Sequence, residues 1–500
     1  MLRSFRHLRR LVRTARILAR HNALFPLDLL PQTRPLLHLL DRFQNKSAPG
    51  RPGERLAAAL EEAGPSFIKL GQSLSTRADL LGEAVARDLA KLQDRLPPFA
   101  GGEARRTVER ELEAPLEELF AEFAPEPVAA ASIAQVHRAR TREGREVAVK
   151  VLRPGIEAAM EEDIDFFFWI AELAERLHPP LRRFKPVEAV ALFATTTRRE
   201  MDLRLEAAAA AEFAENNADA EGFRVPAVDW QRTARRVVTF EWVEGIRIDD
   251  REALLSAGFD PARILERATV VFFNQVFRDG FFHGDMHPGN MLVDAGGNIV
   301  AMDFGIMGRL DHATRVHLAR MLTGFLNGDY ETVADVFFEA GFMLREQDRA
   351  AFTQACRAIG EPIRGQPLSR ISFGRLLAQV LSIAQEFEME TQPQLLLLQK
   401  TMVMAEGIGR VLDPEVNMWV LARPLVDAWV RENLGPEAEL RRALREGAEA
   451  MRRLPALISR GERVLGELVS APPPPPAAGS AGGWPLWWLL LGLALGLAFH

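Results

Sequence analysis

Apolar residues recur with two different periods along this chain, and the changes of period mark its elements. In MLRSFRHLRRLVRTARILAR (1–20), Leu2, Phe5, Leu8, Val12, Ala15 and Ala19 return at three and four. That predicts a helix with one apolar stripe under a face of seven arginines and no acid. VAAASIAQVHRAR (128–140) reads as a loop followed by a strand, TREGRE as a turn, and EVAVKVLRPG (146–155) as a valine-rich strand carrying Lys150. Residues 193–217 carry a helical pattern through REMDLRLEAAAAAEF, with Asp202 and Glu206 four apart on one face. RRVVTFEWVEG is a strand running into a connector. MLVDAGGNIVAM is two short strands about DAGGN, and DHATRVHLARMLTGF is helical again.

The two ends change the picture. APPPPPAAGSAGG (471–483) is a linker, stiffened by five prolines and then loosened by small residues. Trp484 to Phe499 follow without a charge, with Trp484, Trp487 and Trp488 at one end and a G-x-x-x-G at Gly492 and Gly496. This predicts a transmembrane tail anchor, with pairing of two tails into a homodimer left open. The arginine-rich start reads first as a helix lying on an anionic membrane surface. A helix docked on the protein's own surface and a transit peptide share its composition.

Five hundred residues, 48% of them hydrophobic, suffice for a large core split into lobes or domains. A net charge of −6 argues against a nucleic-acid-binding protein. The single cysteine, Cys356, excludes an intrachain disulfide and a cysteine-based zinc site, and fits a reducing compartment. Only six of 62 basic residues are lysines, a bias typical of a GC-rich bacterial genome. Each lysine that persists against that bias is informative, and Lys150 in its β-branched strand suggests that a compact ammonium was required there.

The element order is strand, strand with lysine, acidic helix, strand, connector and helical region containing FFHGDMHPGNMLVDAGGNIVAMDFG (281–305). It is the order of a bilobal protein kinase. Phosphoryl transfer needs a cation on the phosphates, metal ions bridging them and an acid that orients the nucleophile. Lys150 supplies the cation and Glu206 its helix-borne partner. Asp285 supplies the acid, and the hairpin brings Asn290 and Asp303 together as magnesium ligands.

HGDMHPGN with MDFG resembles the loop of aminoglycoside and choline phosphotransferases. Three further stretches choose differently. PSFIKLGQSLSTRADLL (65–81) resembles a K-x-G-Q motif, REMDLRLEAA an E-x-D motif, and PVAAASIAQVHRA an alanine-rich nucleotide loop, with Ala129, Ala130, Ala131 and Ser132. Together they resemble the UbiB family of atypical kinase-like proteins, which supports ubiquinone biosynthesis. The resemblance spans about residues 1–450. It implies an α+β bilobal kinase-like fold with an N-terminal helical extension, to which the sequence adds a C-terminal transmembrane helix. The expected divisions are a basic amphipathic helix (1–25), the extension (26–118), an N-lobe (119–245), a C-lobe (246–465), the linker (471–483) and the anchor (484–499).

In such a protein Lys69 and Gln72 would lie on the extension, folded over the site where a kinase receives its peptide. Glu200 and Asp202 would hold that extension. Read alone, without the other motifs, Lys69 is better taken as an exposed helix cation. Departures from ordinary kinases agree with occlusion. No glycine lies between Gly102 and Gly144, HGD replaces H-R-D, and no A-P-E follows DFG.

The expected protein is a Mg-ATP-using atypical kinase or ATPase at the cytoplasmic face of a bacterial inner membrane. It would act on membrane lipids and prenylated quinone precursors or on the enzymes that make quinone, with the phosphoryl acceptor, water included, left open. A protein kinase regulating such an enzyme, a small-molecule phosphotransferase and a non-catalytic scaffold are the alternatives. No flavin fingerprint or redox-metal motif supports a hydroxylase.

Overall fold

The computed structural model describes residues 2–25, 48–75, 81–89, 92, 97–177, 179, 182, 185–343, 346–362, 371–387, 389, 392–415 and 418–435. It begins with helices α1 (Leu2–Arg20), α2 (Pro52–Ala63), α3 (Pro65–Ser75) and α4 (Glu83–Leu89). Pro52 fits the first turn of α2, where its missing N–H costs nothing. Gly64, at φ +118°, takes the bend into α3 that a side chain would resist. Leu56, Leu60, Phe67 and Leu89 close a core with Ile164, Phe166, Phe167 and Phe193 from the two long helices that follow the first strands.

The apolar stripe of α1 is divided. Ala15, Ile17 and Ala19 are buried against the protein itself, whereas Leu8 and Val12 are 52% and 41% exposed. Small alanines let α1 approach its neighbours closely, and Arg10 pairs with Asp163 while His7 stacks on Trp169 at 5.5 Å. The inner half of the stripe therefore docks on the protein rather than lying on a membrane.

Helices α5 (Gly101–Glu111) and α6 (Leu116–Leu119) lead into an antiparallel sheet of β1 (Phe120–Phe123), β2 (Ala129–Ala130), β3 (Ala134–Thr141), β4 (Glu146–Leu152) and a later strand, Val237–Glu241. Period-two alternation turns Val147, Val149 and Val151 toward α5 and Phe120. It leaves Lys150 on the opposite face, in register with Val136 and Val238.

Helices α7 (Ile156–Leu177) and α9 (Leu203–Asn216) pack on that side through Met160, Leu203 and Ala207, while α8 (Pro186–Glu200) packs on α7 and joins the core of the N-terminal helices. The helix expected over 193–217 is thus two. Asp202 breaks it by capping α9, accepting the Arg204 N–H at 3.2 Å, so it shares no helix face with Glu206.

Strands β5 (Phe223–Arg224), β6 (Val237–Glu241) and β7 (Ile246–Arg247), helices α10 (Arg251–Ser256) and α11 (Pro261–Phe273), and β8 (Phe281–His283) follow. Strands β9 (Met291–Val293) and β10 (Ile299–Ala301) form the expected hairpin inside the sheet β5-β10-β9-β7. Strand β11 (Met307–Arg309) pairs with β8. Helices α12 (His312–Asn327), α13 (Tyr330–Glu339), α14 (Arg349–Gly360), α15 (Phe373–Glu386), α16 (Pro393–Leu412) and α17 (Met418–Leu434) complete the described chain. The chain divides into units at Met1–Val426 and Asp427–His500, and of the second only the end of α17 and Gly435 are described.

One expectation is corrected. Among the described residues no helix is long and apolar enough to cross a membrane. The transmembrane helix expected over Trp484 to Phe499, with its tail-to-tail pairing, lies outside the described residues, so the fold is described as α+β without a spanning segment.

Candidate functional site

Lys150 is the centre of a charge trio. Its ammonium donates to Glu206 Oε1 and Oε2 at 2.8 and 3.0 Å and to Asp303 Oδ1 at 3.4 Å. The lysine and Glu206 side chains are 17% and 7% exposed, while Asp303 is 53% exposed. Burial works against the Lys150 charge, but Asp303 and Glu206 outweigh it and hold its pKa above the ordinary lysine value. The Lys150 charge in turn holds the Asp303 carboxyl down at about 2, helped by the Gly305 N–H. Asp303 sits at φ +59°, a left-handed backbone that an L residue adopts only when its surroundings impose it.

The loop after β8 is set by His283. Burial depresses its pKa and keeps the imidazole neutral. Nε2 lies 3.1 Å from the Met302 carbonyl, and Nδ1 accepts the Asp285 N–H at 3.1 Å, which fixes the tautomer. Asn290 donates through Nδ2 to the Asp285 carbonyl and carboxylate at 3.1 and 3.2 Å.

The hairpin pairs Met291 with Ala301, and the Met302 N–H reaches the Asn290 carbonyl at 2.8 Å. Residues 290 and 303 therefore flank one spot. The amide oxygen of Asn290 has no described partner, and the Asp303 carboxylate is half open. One carboxylate and one neutral oxygen beside phosphates suit magnesium, which keeps most of its shell as water and phosphate oxygen. Among the described residues no group of three or more His, Cys, Asp or Glu side chains forms a self-sufficient metal site.

The remaining expected residues fall around this centre. Lys69 on α3 meets Glu200 at the end of α8 at 2.9 Å. Gln72 Nε2 lies 3.5 Å from the Leu92 carbonyl. Among the described residues Asp202 is engaged elsewhere than on the extension: it caps α9 and grips Arg204 at 2.9 and 2.6 Å. Ala129 and Ala130 form β2, and Ala131 turns tightly onto Ala134. Ser132 is wholly buried, with its hydroxyl unpartnered among the described residues.

Two contributors were not anticipated. Phe213 of α9 meets His283 and Phe304 at 6.2 and 5.7 Å, and those two rings lie 5.7 Å apart. This aromatic column ties the acidic helix to both ends of the 283–304 stretch. The helical spacing from Glu206 to Phe213 carried that signal. Lys400 of α16 donates to Asp285 Oδ1 at 3.1 Å from 115 residues away. Only lysine scarcity pointed to it.

A strand lysine pinned by a helix glutamate, with the loop residues Asp285 and Asn290 and the hairpin residue Asp303 nearby in the fold, defines a protein-kinase-like protein. Alanines at 129–131 where an ordinary kinase carries glycines, and Lys69 paired with Glu200, set it apart from one. Residues 91–337 match the ABC1 atypical kinase-like domain, and residues 356–417 the UbiB helical domain. "Probable protein kinase UbiB" of Marinobacter nauticus is 42% identical over 436 residues, 86% of this chain and 80% of that protein. Its counterparts in Pseudomonas aeruginosa and Pseudomonas putida are each 41% identical, covering 87% and 86% of this chain and 83% and 82% of theirs. The solved Rv3197–erythromycin complex from Mycobacterium tuberculosis aligns over 78% of this chain and 97% of that one, at 24% identity and TM-score 0.49. The chain belongs to the UbiB family.

Proposed function

We propose that this protein is a membrane-attached, Mg-ATP-dependent ATPase of the kinase-like class that supports ubiquinone biosynthesis. The observation that carries the reading is the Lys150–Glu206–Asp303 trio together with Asn290, whose Nδ2 is held by Asp285 and whose amide oxygen has no partner among the described residues. A scaffold has no use for a buried lysine held charged between two carboxylates. Lys150 would bind nucleotide phosphates, Asn290 and Asp303 would hold magnesium, and Asp285 would orient the attacking hydroxyl or water.

The Lys69–Glu200 pair ties α3 to the end of the helix preceding Glu206, which favours water or a small lipid head over a polypeptide acceptor. Prenylated quinone precursors and the enzymes that modify them are the proposed partners. Attachment to the cytoplasmic face of the membrane is supported by the outer face of α1. There Arg9, Arg13 and Arg16 are exposed beside Leu8 and Val12, with no described partners, a surface suited to anionic lipid.

The test uses bacterial cells lacking this protein, restored with the natural sequence or with Asp303→Asn, and reads their quinones. The natural protein should restore ubiquinone, while the variant leaves a prenylated precursor. Equal restoration by the variant would establish the scaffold reading instead.

A further inference from the structure

Lys400 lies in the segment matching the UbiB helical domain, outside the kinase-like match, yet its ammonium touches the loop acid Asp285. Helix α16 is seated on that loop by other contacts. Thr401 Oγ1 lies 3.2 Å from the Gly284 carbonyl, sharing its proton with the Leu397 carbonyl at 2.9 Å, and Leu397 closes against Gly284, where an added Cβ would come within 2.9 Å of Leu397 Cδ2. The seat therefore does not need the ion pair. With Lys400 40% and Asp285 32% exposed, that pair adds little stability.

Three N–H donors sit on the ammonium, and Asp285 Oδ1 is its one described partner. The charges around the site explain its purpose. Lys69, Lys150 and Lys400 face Glu200, Glu206, Asp285 and Asp303, three cations against four carboxylates. Lys150 is already shared between two of those acids. A triphosphate placed over Asp285 would meet a second anion unless a cation stood between them.

We infer that Lys400 is a phosphate-binding residue, the cation that meets the terminal phosphate of a nucleoside triphosphate over Asp285. The helical domain thereby completes the nucleotide site. This inference rests on the Mg-ATP reading above.

The test is calorimetric binding of Mg-ADP and of the β,γ-imido analogue of Mg-ATP to the full chain. Lys400→Met should weaken the triphosphate analogue about tenfold, the loss of one charge-assisted contact, and leave ADP within about twofold. Lys400→Arg should retain most of the affinity, which also shows that the site still folds. Lys400→Met combined with Asp285→Asn should stay weak, because the phosphate contact itself is gone. Equal effects on both nucleotides, no effect, or recovery in the double variant would overturn the inference; recovery would show that Lys400 only neutralises Asp285. If the natural protein binds neither nucleotide, the Mg-ATP reading fails and takes this inference with it. If it binds both and Lys400→Met changes nothing, only the role of Lys400 fails.

Discussion

Replacing Lys150 and Glu206 singly and together tests whether the trio is organised as its geometry implies. Lys150→Met leaves two carboxylates, Glu206 and Asp303, facing each other without their shared cation. Glu206 is nearly buried, so this falls among broken buried pairs, which cost about 3–5 kcal/mol. The low end, about 3 kcal/mol, applies because Asp303 is half exposed and screened by water. Glu206→Gln differs in kind. Lys150 keeps Asp303 at 3.4 Å, and the amide oxygen still accepts a hydrogen bond, so the cost is about 1–2 kcal/mol. The double variant buries no unpaired charge, and its cost should also be about 1–2 kcal/mol, giving a coupling of about 2–4 kcal/mol. Urea unfolding followed by tryptophan fluorescence at pH 7 measures all three, with Trp230 and Trp242 beside the first sheet as reporters. Equal costs for the two single variants, adding fully in the double, would refute the shared-cation geometry.

Acid should loosen the loop before it touches the trio. The neutral pKa of buried His283 is depressed, so its stabilising contribution is complete above the ordinary histidine value of about 6.5 and is lost as pH falls below it. Thermal melts from pH 7 to 5 should fall, less steeply in His283→Gln; some slope should persist because His137 and His317 are depressed too. Asp303, held at about 2, contributes stability that is lost only between about pH 4 and 2. Gly284→Ala should cost about 1–3 kcal/mol by overpacking against Leu397 and Ile306, measured by denaturant midpoint; a neutral result would mean that α16 does not rest on the loop. Asp202→Ala should cost about 1 kcal/mol as a lost cap and leave the extension as protease-resistant as before. Glu200→Ala removes the Lys69 partner and should raise proteolysis of the extension. The reverse ranking would restore Asp202 as a holder.

The strand carrying Lys150, the 291–301 hairpin and the acidic helix were legible because each is a local pattern: alternating valines, a DAGGN turn, small residues at helical spacing. Lys150 with Glu206, and Asn290 with Asp303, followed from that order, since a sheet face and a hairpin fix which side chains can meet. The misreadings share a cause, competition that periodicity does not reveal. Asp202 was read within a helix because its neighbours are helical, but its short side chain caps better than it packs. The α1 stripe left two readings open, lipid and the protein's own surface, because a stripe does not say what covers it; alanines at 15 and 19, rather than leucines, were the sign that its inner half packs on the protein. The role of Lys400, flagged only by lysine scarcity, was not legible for a different reason. Its partner is 115 residues distant, and no local pattern encodes such an encounter.

The central claim is that this chain turns over ATP without needing a polypeptide acceptor. The most direct measurement is phosphate release from Mg-ATP by the purified full chain, with no peptide present, for the natural protein and for Asp303→Asn. Release that falls at least about a hundredfold in the variant is the predicted result, the usual scale for losing a group that stabilises transition-state charge. No release by the natural protein, or equal release by both, would contradict it.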